Sequence, residues 1–304
     1  MKIRLIASAA FIAPFGGSAI AADLPVKAPP PPVAPVMTWT GFYGGLNAGG
    51  AWQNNQSLNT VGVPVQDFTT RWVANAAAGA TGSTSFGNNN ARFIGGAQIG
   101  YNWQFGLGVA GFEADIDALD QNSRASFLRT SVGPFPFAGA AEVINTQFTN
   151  TRALDYLGTI RGRLGFLATP SFLLYGTAGG AYGGVRASRS ILQSNNDCVA
   201  FPATCITSNT ASLTTLSDTR FGWTAGVGGE WMFAPNWSAK AEYLYYDLGS
   251  ASLNNSQLVT TNGTFPGAGG PAIVNVQSNS LKFNGSIARF GINYHFGGPV
   301  AATY

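Results

Sequence analysis

Charge is scarce in this 304-residue chain: 10% of its residues are charged, where about 25% is usual in a soluble domain. Histidine occurs once, as His295, with neither a serine-nucleophile motif nor a paired catalytic carboxylate around it, which argues against an enzyme. Cysteine occurs twice. Cys198 and Cys205 sit close together in a polar Asn/Thr-rich stretch with no histidine nearby, a pattern that suits a local disulfide in an oxidising compartment better than a metal site. No glycine-rich phosphate loop follows a strand and opens a helix, and no cofactor is implied. Beyond the N-terminus no segment approaches the ~18 consecutive apolar residues of a membrane helix. Acidic and basic residues nearly balance at 13 against 16, so charge points to no polyanionic partner and nucleic acid is set aside.

What is present begins with Lys2 and Arg4, an apolar stretch from Leu5 to Phe15, and the small residues Ser18-Ala19-Ile20-Ala21-Ala22. That order reads as a secretory signal peptide over 1–22, cleaved after Ala21 or Ala22. Residues 23–38 are proline-rich and extended, a periplasmic leader. The rest is rich in glycine (40) and aromatics (12%). A secreted, charge-poor, aromatic chain without a membrane helix suits a lipid-facing β-barrel, in which only alternate residues need be apolar.

Eight segments emerge, and period-two alternation recurs in all but one of them. Apolar residues occupy Phe42, Leu46, Ala48 and Trp52; then Phe93, Ala97, Ile99, Tyr101 and Trp103 opposite Arg92, Gln98 and Asn102. The clearest pattern sets Ala110, Phe112, Ala114, Ile116 and Ala118 against Glu113, Asp115 and Asp117. Leu154, Tyr156, Ile160, Leu164 and Phe166 oppose Asp155, Thr159, Arg161 and Arg163, whereas 172–185 is too glycine-rich for its faces to be assigned. Phe221, Trp223, Ala225, Val227 and Trp231 oppose Arg220, Thr224 and Glu230; Trp237, Ala239, Ala241, Tyr243 and Tyr245 oppose Lys240 and Glu242. The last segment sets Ala288, Phe290, Ile292, Tyr294 and Phe296 against Arg289, Asn293 and His295. Leu281, Phe283 and Ile287 are out of phase there, and a bulge near Gly285 would restore the pattern. Arg152 falls on the apolar parity and is therefore expected at the outer rim, beyond the hydrocarbon.

Short turns near Phe105-Gly106, Thr169-Pro170 and Pro235-Asn236 alternate with long polar connections over 53–90, 120–150, 187–217 and 249–279. The expected fold is all-β: an eight-stranded antiparallel transmembrane β-barrel over 39–296, with short periplasmic turns, four long extracellular loops and a short extension over 297–304. A soluble β-sandwich alternates too, but its solvent face should be polar, whereas here one face ends in Trp, Tyr or Phe like an interfacial girdle.

Twelve charges share the non-apolar face: Arg92, Glu113, Asp115, Asp117, Asp155, Arg161, Arg163, Arg220, Glu230, Lys240, Glu242 and Arg289. An eight-stranded interior is about wide enough to be filled by side chains, so these are expected to pair as a lumen network; a polar path for small solutes is the alternative. The triplet Glu113, Asp115 and Asp117 has the form of a metal or acid/base cluster, but Arg161 and Arg163 on the adjacent strand make ion pairing the simpler reading.

The run Trp39-Thr-Gly-Phe-Tyr-Gly-Gly-Leu-Asn-Ala-Gly-Gly-Ala-Trp52, after Ala-Asp-Leu-Pro, resembles the alphaproteobacterial outer membrane immunogenic proteins. So do the segments 158–165, 237–249 and 289–296, so the resemblance spans nearly all of the expected mature chain. It implies an eight-stranded barrel akin to the OmpA transmembrane domain, located in the cell outer membrane and exposed at the cell surface. A structural, antigenic protein supporting the envelope is the expected function, with a narrow porin and a loop-based adhesin or small-ligand binder as alternatives. The expected partners are outer-membrane lipid, lipopolysaccharide and the assembly machinery, with a monomer or weak oligomer as the state of the chain. Barrels of this kind commonly end on an aromatic that the assembly machinery reads; Phe296 and Tyr304 are the candidates.

Overall fold

The computed structural model of the chain describes residues 38–66, 72–87, 90–134, 141–196, 207–253, 256–260 and 272–296. The expected signal peptide, the leader up to residue 37, Cys198, Cys205 and Tyr304 lie outside the described residues.

Twelve strands and one helix follow in order: β1 (Gly41–Gln53), β2 (Gln56–Gln66), α1 (Trp72–Gly79), β3 (Gly82–Phe86), β4 (Arg92–Phe105), β5 (Gly108–Pro134), β6 (Ala141–Thr169), β7 (Phe172–Asn196), β8 (Thr207–Ala234), β9 (Trp237–Ala251), β10 (Ser256–Thr260), β11 (Ala272–Ser278) and β12 (Leu281–His295). Eight of them close a barrel in the order β1-β12-β9-β8-β7-β6-β5-β4, and β10-β11-β2-β3 form a separate sheet. Every barrel pairing is antiparallel. The polarity is that of a membrane barrel: Leu46, Ile99, Ile116, Ile160, Leu164, Val227, Phe290 and Ile292 point outward and are exposed, while charged side chains point inward and are buried. Outward aromatics form two bands. Trp103, Phe105, Phe166, Trp231, Phe233, Trp237 and Tyr294 lie at the end of the short turns, and Trp52, Phe93, Tyr156, Tyr182, Phe221 and Trp223 at the other.

Two of the long connections, 120–150 and 187–217, prove to be strand over most of their length. β5, β6, β7 and β8 run on for 25 to 29 residues each, far more than the ~10 needed to cross a bilayer. Polar outward residues mark these extensions, because alternation ends where the outside becomes water; a polar run therefore read as loop. The remaining strands break near the outer girdle and resume after a few residues, β1 as β2, β9 as β10, β3 before β4 and β11 before β12. β10 lies beside β8, where the Thr214 and Ser256 hydroxyls are 2.6 Å apart, and Gly82 of β3 meets the Phe127 ring of β5. The second sheet thus completes an extracellular collar in the same circular order as the barrel below it. Inside the collar lies α1, whose Val73, Ala76 and Ala77, with Ala80 just past its end, are buried against Ile144, Phe148 and Ile191 on one wall and Leu258, Val274 and Val276 on the other. Small residues suit it: a Cβ on Gly62 of β2 would come within 2.3 Å of the Ala77 carbonyl.

Two expectations of phase are corrected. No bulge occurs at Gly285, which pairs in unbroken register with Gln53 and Tyr246. The register shift lies opposite Phe283, where β9 carries an extra residue at Leu248-Gly249 and Gly249 takes φ +76. Leu281, Phe283 and Ile287 therefore keep the parity of Arg289 and point inward. In β6 the register shifts against both neighbours at Asp155, which turns Leu154, Arg152 and Asn150 inward. Arg152 is consequently buried in the collar rather than exposed at the outer rim.

Candidate functional site in the barrel lumen

The lumen is layered. At the short-turn end Trp39, Val109, Leu167, Leu173, Tyr175 and Met232 form an apolar seal. Trp39 is held there by its own N–H, donated to Gln104 Oε1 at 2.9 Å, and by its indole N–H, donated to the Pro170 carbonyl at 3.1 Å.

Above the seal the structure brings together nine of the twelve expected lumen charges: Glu113, Asp115, Asp117, Arg161, Arg163, Glu230, Lys240, Glu242 and Arg289. Two ion pairs join direct neighbours in the sheet, Glu113 with Arg161 and Glu242 with Arg289; Glu230 and Lys240 are also register neighbours but take their partners elsewhere. Other contacts, just as short, cross the lumen. Lys240 of β9 reaches Glu113 on the diametrically opposite β5 at 2.7 and 2.8 Å. Arg161 donates to Glu113 at 2.5 Å, Asp115 at 2.7 Å and Glu242 at 2.9 Å. Arg289 gathers Asp115 and Asp117, each at 2.6 Å, and Glu242 at 2.8 Å. Arg163 pairs with Glu230 at 2.7 Å, and its guanidinium lies 4.1 Å from the Tyr175 ring centre. Five carboxylates thus meet four cations with essentially no solvent exposure, an arrangement tolerable only because nearly every charge is both paired and hydrogen-bonded.

Three expected members stay outside the network. Arg92 has the inward parity but sits at the exposed outer start of β4. Asp155 is the bulged residue of β6, faces outward and pairs with Arg186 at 2.5 Å. Arg220 lies at the end of the β8–β9 pairing, half-exposed, 3.1 Å from Asp218 and donating to the Ser250 carbonyl. Alternation alone cannot report where along a strand the lumen stops.

Other members escaped sequence reasoning because they are neutral. Tyr43 donates to Glu113 at 2.7 Å and accepts from Arg163 at 2.9 Å; Tyr175 donates to Glu242 at 3.2 Å. Their hydroxyls fit over glycines, since a Cβ on Gly100 or Gly228 would lie 2.3 and 2.5 Å from them. A tyrosine on the glycine parity was the available signal. Asn293 and Ser238 both donate to Glu230, at 2.8 and 2.5 Å. His295 Nε2 lies 2.9 Å from Ser238 Oγ and 3.6 Å from Glu230. This Ser-His-Glu cluster is no relay: the carboxylate contacts the same ring nitrogen as the hydroxyl, and all three are buried behind Trp39, whose ring is 5.8 Å from the imidazole. Glu113, Asp115 and Asp117 are each engaged by a guanidinium or ammonium group, which leaves no open ligand set among them.

Above the charges lies a second apolar layer of Ile94, Leu119, Leu154, Leu157, Val185, Leu244, Tyr246, Leu281, Phe283 and Ile287. Higher still are two buried arginines with no carboxylate partner among the described residues. Arg152 donates to the carbonyls of Asn54 and Lys282 and lies over the Phe86 ring; Arg189 donates to Asn150, the Leu253 carbonyl and Ser278. Each arginine thereby ties down residues beside the breaks between barrel and collar. The helix α1 closes the top.

A closed ring of antiparallel strands, apolar outside and charged within, belted by two aromatic girdles, is a transmembrane β-barrel of the bacterial outer membrane, here with its lumen filled by its own side chains. The chain belongs to the outer membrane protein beta-barrel domain family, whose model matches residues 30–296. It is 34% identical over 303 residues to the 31 kDa outer-membrane immunogenic protein of Brucella melitensis, covering 97% of this chain and 100% of that one. The 22 kDa outer membrane protein of Rhizobium leguminosarum is 28% identical over 73% of this chain and 74% of its own length. The 25 kDa outer-membrane immunogenic protein of Brucella abortus is 27% identical over 84% of this chain and 92% of its own. These relatives are named for their place in the envelope and their immunogenicity, not for a catalytic activity.

Proposed function

We propose that this protein is a structural, non-enzymatic surface antigen of the outer membrane, a sealed barrel that supports the envelope and presents its collar to the surroundings. One observation carries the reading: the lumen is obstructed at four successive levels, by Trp39 and its neighbours, by ion pairs spanning the diameter, by the Leu281–Phe283–Ile287 layer and by α1. A narrow porin needs a continuous polar path, and an apolar layer on each side of the charges interrupts it. The immunogenic names of the Brucella relatives support the antigen role. Lipid and lipopolysaccharide are the partners that the outward apolar belt suits, and Phe296, exposed next to Tyr294 and bonded to the Phe42 carbonyl, suits the aromatic that the assembly machinery reads. The test is single-channel conductance of the refolded protein in planar bilayers, alongside its heat-modifiable mobility on gels. A folded but silent barrel is expected; discrete openings that change with Glu113→Ala would establish the porin instead.

A further inference from the structure

We propose that the collar interior binds a small monovalent anion, of the size and charge of chloride, at Arg152 and Arg189. Two buried cations without a counter-charge lead to it.

Arg152 of β6 and Arg189 of β7 are both buried in one polar belt, bounded below by the Leu281–Phe283–Ile287 layer and above by α1. Arg152 pairs with Ala187 and Asn150 with Arg189, so the two arginines are diagonal neighbours in the sheet, about 7–8 Å apart at their backbones. Every partner they have is neutral: the Asn54, Lys282 and Leu253 carbonyls, the Asn150 amide oxygen and the Ser278 hydroxyl. Among the described residues no carboxylate reaches the belt. The five lumen carboxylates lie below the apolar layer, and Glu142 stands at the far end of β6. Asp120 and Asp155 face outward, Asp218 is held by Arg220, and Asp247 accepts from the Gly249 N–H. Burial lowers both guanidiniums from their ordinary value to about 10, which leaves both charged at neutral pH. Two like charges buried this close together, with nothing of opposite sign beside them, destabilise the collar unless an anion from solution joins them.

The belt also carries unused donors. The Arg152 Nε–H is buried and bonds nothing, while its two amino groups are taken by the Asn54 and Lys282 carbonyls. Thr60, in register with the Ser278 that Arg189 holds, buries a hydroxyl without a partner. Gln53 Oε1, also buried and unpartnered, is an acceptor and suits a water in the shell of the ion. Because the fork of the Arg152 guanidinium is occupied, only a single N–H is free, which fits a halide rather than the bidentate grip of a phosphate or carboxylate. The way in lies at the β1–β2 break, where a pocket of about 430 Å³ is lined by Trp52, Gln53, Asn55 and the same Asn54 that Arg152 holds.

The test uses the full refolded protein, with bromide and chloride as probes. Crystals grown in sodium bromide should show an anomalous peak at hydrogen-bond distance from Arg152 Nε. In detergent micelles the urea midpoint should rise by about 1 M when chloride replaces gluconate at constant ionic strength, the mass-action gain at roughly 30 times the Kd. Arg152→Met removes the free donor and should abolish that rise, and Thr60→Val should at least halve it. Arg186→Met, on the outer face beside Asp155, should leave it whole. A map with only water at Nε, a wild-type midpoint indifferent to chloride, or a rise that survives Arg152→Met or is equally lost in Arg186→Met would overturn the assignment. The bromide map needs no variant and decides alone if Arg152→Met does not fold. Conductance plays no part in either readout, so the result stands apart from whether the lumen is sealed.

Discussion

Replacing Arg161 with alanine tests whether the lumen charges form one interlocked network. The guanidinium bonds Glu113, Asp115, Glu242 and Thr159 at 2.5 to 2.9 Å, with no exposed surface on the arginine side chain. Its removal leaves three carboxylates facing one another around an empty volume. Lys240 and Arg289 still neutralise part of that charge, so the loss should match one broken buried pair, about 3–5 kcal/mol, rather than three. With a urea dependence of about 2 kcal/mol per molar, a 4 kcal/mol loss lowers the unfolding midpoint by roughly 2 M. The assay is urea unfolding in detergent micelles, followed by the fraction of heat-modifiable species. The double variant Arg161→Met/Glu113→Gln removes charge of both signs and should recover part of the loss, whereas conductance stays absent in both because the apolar layers remain. A midpoint shift below about 0.5 M would mean that water, not Arg161, balances these carboxylates, and the interlocked network would be refuted.

Trp39→Ala should cost about 3–5 kcal/mol and expose the His295 ring to the periplasmic end, checked by the midpoint and by diethylpyrocarbonate modification of His295, which the wild type resists. Gly228→Val places a side chain where the Tyr175 hydroxyl lies, 2.5 Å away, and should lower stability by about 1–3 kcal/mol, while Gly180→Val on the lipid side stays within about 0.5 kcal/mol. Arg152→Ala strips the donor from the Asn54 and Lys282 carbonyls; hydrogen exchange should accelerate at the β1–β2 and β11–β12 breaks before it does in the membrane strands.

In Glu113, Asp115 and Asp117 against Phe112, Ala114 and Ile116, the amino-acid sequence by itself determined a strand with one lipid face and one charged face, because a period of two admits no other regular structure. Seven such segments and a glycine-rich eighth, with short turns alternating with long connections, specified the eight-stranded membrane barrel, and the shared parity of Arg161, Arg163, Lys240, Glu242 and Arg289 specified a common interior. Only tertiary structure decided the rest. Alternation carries no height, so Arg92 and Arg220 were indistinguishable from Arg289 although they stand near the rim. One bulged residue reverses everything beyond it, which sent Asp155 outward and buried Arg152. Strands β5–β8 change their outer partner from lipid to water partway along, so their upper halves look like loops in sequence. The α1 plug and the apolar layers that seal the charges arise from residues distant in the chain, and closing the ring is what makes them neighbours.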